Sequence, residues 1–547
     1  MKRHFTILAI GLVLCSGMQA KERTPEQKRQ IAFSILSKNA AATRAVSLNN
    51  LKELKTMNEL TIVGNSDANG FAIISNDDNN EAILGWSDKR FNSDKIPDGL
   101  EWWLNMANEA LSSGKHYIRT VTPATVGNGS LPATVESFVS AKWGQGDPYN
   151  QACGSMNGSK TLTGCVATAA AQIMYYYKYP TQGAGESMID EATFDFIDFA
   201  GTTYDYFNML PVYKKGEYTP EQASAVATLM HHCGVATSMK YGTDASGAYC
   251  YKAAGAWRDH FSYSTEFYRR DAYPEDEWMS IIYEELGNYR PIQYGGVDEK
   301  SGGHSFVFDG YDADGLVHVN WGWEGSSDGY YDVALLNPQN YQYNQQQEMI
   351  LMHTPDAPTL SYRSQWGIID GSFTVSVTNS VLKYSATNLY NVDSDPFVGQ
   401  MCLVVQPEDG GEIKYLDVSN VVDNTGQMGE IDYMYGTSSY RRSVDISDIS
   451  DGVYYVYMAT KATSENGWQP VHFNETVKGV YELTIVDGNA SVSSVETGID
   501  NLKVNNGMVN GKFSNRIYTI DGHYVGTDAS KLSKGLYICN GKKFVKE

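Results

Sequence analysis

The sequence predicts an α+β central region, preceded by a small α+β unit and followed by β modules. A chain of 547 residues is longer than one hydrophobic core usually supports. Apolar residues recur at helical spacing in the first part of the chain, and alternating runs between turn residues dominate after residue 357. Aromatic residues make up 12% of the chain, which fits β modules with large half-buried side chains.

Residues 1–20 have the features of a secretory signal peptide. Basic residues precede an apolar run from Phe5 to Leu14, and small residues lead to Ala20. This run is too short to span a membrane stably, and no later stretch reaches about 20 apolar residues. We therefore expect a protein that is secreted or at the cell surface, without a membrane span. A lipid anchor on Cys15 is the alternative.

Charge and cysteine spacing exclude several kinds of partner and cofactor. A net charge of −22 argues against general binding to nucleic acid or anionic lipid. The seven cysteines form no CxxC pair, so neither a disulfide framework nor a zinc cluster is predicted. His231 and His232, beside Cys233, lack further ligands at metal spacing. We expect no cofactor and no metal.

Composition divides the chain into segments. Helical spacing from Thr24 to Asn39, strand-like runs from Leu60 and Gly70, and an amphipathic stretch from Leu100 to Ser112 form a small α+β unit. Residues 121–135 carry almost no charge and predict an exposed linker that is open to proteolysis. The predicted division is a signal peptide (1–20), the small unit with its linker (21–135), a central domain (136–356), a β-sandwich module (357–492) and a C-terminal β domain (493–547).

The strongest chemical signal is a cysteine at the start of a predicted helix. No helix breaker lies between Cys165 and Tyr177, and Pro180 follows. Cys165 is then in the first turn, where free amide hydrogens and the helix dipole favour a thiolate and lower the pKa of the thiol. A free cysteine taken alone is more often an inert core residue.

A base for this cysteine is predicted in a downstream hairpin. Gly302 and Gly303 precede His304, an apolar strand follows, and a turn leads to a second strand that carries Asn320. His304 and Asn320 share a face if the hairpin register is even. The Asn320 oxygen could then accept from the imidazole and fix its tautomer.

An oxyanion donor is predicted upstream of the cysteine. Gln145 lies in a glycine-rich loop, where its amide could point into a cleft. Together with the backbone N–H of Cys165 it would supply the two donors that acyl transfer needs. A loop glutamine taken alone is most often only solvated.

Together these segments resemble the streptopain family of papain-like cysteine peptidases. The resemblance rests on WGQGDPYN, TGCVATAAAQIMYYYKYP, RPIQYGG and GGHSFVFDGYDADGLVHVNWGWEG, which span the central region. It implies Cys165 and His304 as the catalytic pair and Gln145 as an oxyanion donor. The residues that it implies as orienting or shielding His304 are Asn320, Trp321 and Trp323, and whether Asn320 or a tryptophan holds the imidazole is left open.

The resemblance also implies the protein's partners. The unit before the linker is similar to an inhibitory propeptide, so we expect a zymogen whose partners are protein or peptide substrates and its own propeptide. Gly302 and Gly303 are expected to contact substrate. Val166 stands where papain itself has an aromatic residue, so the resemblance does not define the shape of the substrate pocket.

Residues 517–547 are similar to a C-terminal sorting domain of the Bacteroidetes type IX export system. A plain β adhesion module is the alternative.

Two other functions compete with an endopeptidase. The same cysteine and histidine could serve a thiol amidase or transferase, because thiol folds support both. Alternatively, the chain could be a surface adhesion protein with a vestigial catalytic region. The presence of Cys165, Gln145, His304 and Asn320 together argues against the adhesion protein.

Overall fold

The computed structural model describes most of the chain between residues 21 and 495 and short strands after it. The described ranges are 21–39, 46–65, 70–113, 116–126, 131–298, 302–336, 347–355, 364–423, 436–437, 440–464, 467–474, 476–495, 517–519, 524–526, 534–539 and 542–546. The predicted signal peptide and Cys15 lie outside them. No helix in the described ranges is long and apolar enough to cross a membrane.

In its described residues the N-terminal unit contains two α-helices and four antiparallel strands. Both predicted helices and both predicted strands are confirmed within two residues. Its elements are α1 (Pro25–Asn39), β1 (Lys52–Thr56), β2 (Leu60–Gly64), β3 (Phe71–Ser75), β4 (Ile83–Ser87) and α2 (Asp98–Leu111). Helix α2 buries Trp102 and Trp103 completely, so it packs into the molecule along its length.

The central region packs helix α3 (Cys165–Tyr177) against the strand β11 (Gly302–Tyr311) of its sheet and against a second helix, α4 (Pro220–Ala236). Helix α3 is rich in alanine, which favours helix, and it ends where Lys178 adopts a left-handed conformation before Pro180. The elements are β5 (Ser155–Met156), β6 (Ser159–Lys160), α3 (Cys165–Tyr177), β7 (Met188–Ile189), β8 (Phe196–Ile197), α4 (Pro220–Ala236), α5 (Cys250–Phe261), β9 (Ser264–Arg269), α6 (Glu275–Gly287), β10 (Ile292–Asp298), β11 (Gly302–Tyr311), β12 (Val317–Asn320), β13 (Gly329–Tyr331) and β14 (Gln347–His353).

One ten-stranded sheet runs through both of these units. Its order is β1-β2-β3-β4-β13-β12-β11-β10-β14-β9. The units join where β4 pairs antiparallel with β13, with Trp86 opposite Tyr330 and the two rings stacked at 4.7 Å. The N-terminal unit is therefore part of the same sheet as the predicted base.

Parts of the segment between these units are buried against the sheet, whereas Ala124 and residues 132–134 are exposed. Val121 and Val126 are buried, and Val135 pairs with Tyr311 through a backbone bridge. The guanidinium of Arg119, just before the segment, forms an ion pair with the buried Asp332 at 2.6 Å. The prediction of an exposed linker over 121–135 is wrong for these positions, because its valines supply apolar surface to the core.

The C-terminal region is built of strands, as predicted. Two sheets, of five and six strands, pack around a shared core. Their strands are β15 (Trp366–Thr378), β16 (Val381–Asn391), β17 (Phe397–Pro407), β18 (Lys414–Asp423), β19 (Gly436–Thr437), β20 (Tyr440–Asp445), β21 (Gly452–Ala462), β22 (Gln469–Pro470), β23 (His472–Phe473), β24 (Tyr481–Val486) and β25 (Asn489–Ser494). A separate sheet contains β26 (Ile517–Thr519), β27 (Tyr524–Gly526), β28 (Gly535–Cys539) and β29 (Lys542–Lys546). The α+β fold with β modules is therefore confirmed, whereas the domain boundaries stay a prediction.

Candidate active site

Cys165 is the first residue of α3, where the sequence placed it. Gly164 leads into the helix with φ of +84°, and a Cβ there would lie 2.7 Å from the side chain of Met239. This position therefore needs glycine. The Cys165 side chain is only partly exposed, at the end of a helix whose next ten residues are all buried.

His304 lies on β11, and this strand borders Cys165. The Cys165 Sγ is 3.9 Å from the carbonyl oxygen of Gly303. The backbone N–H of Ser305 donates to the same sulfur. The residues immediately before and after His304 therefore both contact the cysteine, and the structure brings the two predicted catalytic elements together.

The pKa of Cys165 differs from the sequence expectation. Burial raises the pKa of the thiol above its ordinary value, and the carboxylate of Asp98 raises it further. The backbone N–H groups of Ser305, Val166 and Cys165 itself donate to the sulfur and lower the pKa, as the position in the first helical turn predicts. With the N-terminal unit in place burial outweighs these donors, so the pKa of the thiol is raised rather than lowered in this covered form.

Helix α2 of the N-terminal unit covers this site. Asp98, its first residue, is close enough to His304 for the imidazole to lower the pKa of its carboxyl, although burial raises that pKa overall. A Cβ on Gly99 would lie 2.7 Å from the Trp321 ring, and one on Gly296 would lie 2.3 Å from the Trp102 ring. The helix therefore packs directly on the strands beside His304.

Asp98, Gly99 and Trp102 are site residues that the sequence reasoning missed. Helical spacing placed the helix itself from Leu100 onward. Helical spacing does not indicate which distant strands α2 covers, because the position of α2 depends on how β4 pairs with β13. Asp98, two residues before Leu100, was the available signal that the helix begins earlier, since acidic side chains are common in first turns.

Asn320 lies on the opposite face of the hairpin from His304. It pairs with Val307, three positions from His304, so the register is odd and the shared face expected at even register is not formed. The Asn320 amide donates to Ala141 O at 2.8 Å and to Gln172 Oε1 at 3.0 Å. Asn320 thus ties the hairpin to α3 and to the irregular segment before Gln145.

The remaining predicted residues surround these two strands. Trp321 is buried, and its ring lies 4.8 Å from that of Phe306 on the His304 face. Trp323 is half-buried. The carbonyl of Gln145 accepts from the N–H of Thr163 at 3.1 Å, which places the Gln145 loop two residues from Cys165. Gly302 begins β11.

The two adjacent histidines have polar partners of their own. His231 Nε2 lies 2.8 Å from Asp190 Oδ2, and His232 Nδ1 lies 3.1 Å from the hydroxyl of Tyr204. Within the described ranges, no group of three or more His, Cys, Asp or Glu side chains is placed to hold a metal ion. Burial lowers the pKa of His232 to about 4, with His231 adding to the effect.

The fold is that of a papain-like cysteine peptidase, preceded by an N-terminal unit that is similar to a protease inhibitor. Residues 143–331 match the model of the peptidase C10 family, and residues 20–111 match that of the Spi protease inhibitor. The chain belongs to the peptidase C10 family, whose members are cysteine peptidases and hence hydrolases. The predicted streptopain-family resemblance is confirmed.

Individual relatives support this membership. The chain is 31% identical over 363 residues to the thiol protease/hemagglutinin PrtT of Porphyromonas gingivalis, covering 62% of this chain and 42% of PrtT. It is 29% identical over 371 residues to streptopain of Streptococcus pyogenes, covering 61% of this chain and 92% of streptopain. A solved fragment of Prevotella intermedia prointerpain A is 39% identical with a TM-score of 0.50, covering 55% of this chain and 97% of the fragment.

Proposed function

We propose that this protein is an exported cysteine endopeptidase, made as a zymogen, with Cys165 as nucleophile and His304 as general base. The observation that carries the proposal is the position of Cys165. It begins a buried helix and contacts the backbone on both sides of His304. Nucleophilic catalysis by a thiol needs a histidine base nearby, and here the thiol lies at a helix N-terminus beside the strand that carries His304.

In the proposed reaction the Cys165 sulfur attacks the carbonyl carbon of a peptide bond. His304 takes the thiol proton and gives it to the leaving amine, so that a thioester and a free amine result. Water, with His304 as base, then hydrolyses the thioester and regenerates the thiol. The N–H of Cys165 and the side-chain amide of Gln145 are the proposed donors to the oxyanion, because the Gln145 loop adjoins the start of α3.

Latency follows from the cover that α2 provides. We propose that residues 21–135 form the inhibitory unit and that its removal uncovers His304 and Cys165. Asp98 beside His304 and the burial of the Cys165 thiol support this proposal, since both disfavour a reactive thiolate. Export is proposed from residues 1–20. Asn320 is proposed as a structural link rather than the group that orients His304.

The first test is Cys165→Ala in the full chain. Without the sulfur no thioester forms, so casein hydrolysis and loss of the N-terminal unit should both fall by at least about 10⁴-fold. Cys402→Ala is the matched control, because Cys402 is a buried free cysteine in the C-terminal sheets. Circular dichroism should match wild type for both. Hydrolysis by Cys165→Ala at the rate of Cys402→Ala would disprove the nucleophile assignment.

A further inference from the structure

A single buried amide joins the helix of the nucleophile to the strand of the base. Gln293 lies on β10 and is 1% exposed. Its Nε2 donates to the carbonyl oxygen of Val166 at 3.2 Å and to the Oγ of Ser305 at 3.2 Å. Val166 follows Cys165 in the chain, and Ser305 follows His304. The Gln293 side chain therefore links the neighbours of both catalytic residues.

The orientation of this amide is set by a third partner. The indole N–H of Trp257, on α5, donates to Gln293 Oε1 at 2.8 Å. An indole N–H can only donate, so the amide oxygen must face Trp257 and the amide nitrogen must face Val166 and Ser305. Trp257 is itself fully buried. The amide is consequently fixed on both sides and cannot rotate without losing hydrogen bonds in a buried place.

These bonds do not depend on the N-terminal unit. Asp98, Gly99 and Trp102 of α2 contact the strands beside His304. These contacts are lost if the N-terminal unit is removed. Gln293 and its three partners all lie within the central region. After removal, the Gln293 bridge still connects α3 to β11.

We propose that Gln293 is a positioning residue that fixes the separation of Cys165 and His304 in the uncovered enzyme. The inference rests on the proposed function of these two residues. Proton transfer between a thiol and an imidazole requires them at hydrogen-bond distance, and a displacement of about 1 Å can cost 10²-fold in rate. Gln293 acts through the backbone at Val166 and through Ser305, without touching substrate.

The test is Gln293→Met in the full chain, which keeps the length of the side chain and removes all three hydrogen bonds. Each precursor is processed with a trace of wild-type enzyme, and Cys165→Ala treated in the same way gives the background. We expect kcat on a peptide substrate to fall by roughly tenfold or more while KM stays within about twofold, because ground-state binding is not touched. The pH profile of kcat/KM should also shift, because the coupling of the two ionisations depends on their separation.

Gln406→Met is the matched control. Gln406 is a buried glutamine in the C-terminal sheets, where its Oε1 accepts from the hydroxyl of Tyr457 at 2.8 Å. It should keep the wild-type kcat and pH profile. Gln293→Asn, with a shorter amide, should recover only part of the lost kcat.

The outcomes separate the two proposals. An inactive Cys165→Ala with a wild-type kcat and pH profile for Gln293→Met would overturn the positioning role and leave the proposed function standing. An active Cys165→Ala would overturn the proposed function itself. If Gln293→Met fails to fold, Ser305→Ala decides, because it removes one bond of the bridge without adding bulk. An unchanged kcat and pH profile for Ser305→Ala would then overturn the positioning role.

Discussion

Glu348 is a buried acid two strands from the one that carries His304. It lies on β14 in one cross-strand row with Gly295 and Ser305, and it is hydrogen-bonded to Cys250. Burial raises the pKa of its carboxyl from an ordinary 4.5 to about 7, although Arg269 lowers it. Between these two values the folded chain keeps a proton that the unfolded chain releases. The stability of the fold therefore decreases as the pH rises through this window.

The raised pKa of Glu348 predicts a measurable effect of Glu348→Gln, because a glutamine side chain is uncharged at every pH. Between pH 5 and pH 8 wild type should lose roughly 2 to 3 kcal/mol more stability than the variant, from a carboxyl pKa near 7. Urea unfolding followed by tryptophan fluorescence measures the difference, with Cys165→Ala in both chains to prevent self-digestion. Equal pH dependence of the two chains would show that Glu348 titrates normally in the folded state.

At the scale of elements, α2 is fitted to the strands beneath it. Gly99 of α2 leaves room for the ring of Trp321, which follows β12. Gly296 of β10 leaves room for the ring of Trp102 on α2. Such reciprocal contacts fix the position of the helix along the sheet, because close-packed interiors tolerate little added volume. The cover over His304 is thus sensitive to a single methyl group.

Gly99→Ala is expected to weaken latency. Its Cβ would lie 2.7 Å from the Trp321 ring, and overpacking of this kind typically costs about 1–3 kcal/mol, which corresponds to roughly fivefold or more in the population of the uncovered site. The lag before casein hydrolysis by the precursor should shorten accordingly, while the processed enzyme should be unchanged. Asn105→Ala, at an exposed position of α2, is the control. An unchanged lag for Gly99→Ala would contradict the tight fit.

Local patterns predicted the elements well and their relations less well. The bounds of α3 follow from helix breakers and the β11–β12 hairpin follows from alternation and a turn, so the elements that carry Cys165 and His304 could be placed from sequence. The odd register that puts Asn320 on the other face depends on how the turn closes. The Asp98 contact and the Gln293 bridge join residues far apart in the chain, which a single sequence does not reveal.

At the scale of the whole molecule, the C-terminal sheets are attached to the central region. The Tyr273 hydroxyl lies 3.3 Å from His472 Nε2, and the two rings are 4.4 Å apart. The amide of Asn474 donates to the carbonyl of Asp271 at 2.9 Å, and the carboxylate of Asp395 binds Arg258 at 2.6 Å. The C-terminal region thus meets the turn between β9 and α6 as well as α5, through residues other than Cys165, His304 and Gln293.

Removal of these sheets should therefore lower stability and spare catalysis. A chain ending at residue 355 exposes Tyr273 and loses its ring contact, worth about 0.5–1.5 kcal/mol, together with the hydrogen bond from Asn474. For a domain of about 150–250 residues, such as the central region, about 1 kcal/mol corresponds to roughly 2–4 °C in Tm. We therefore expect calorimetry on the Cys165→Ala background to show a Tm lower by at least about 2 °C. His472→Ala in the full chain should reproduce part of it. An unchanged Tm in both would mean that the junction carries no stability, whereas a large loss of kcat/KM in the active truncated chain would mean that the junction reaches the site.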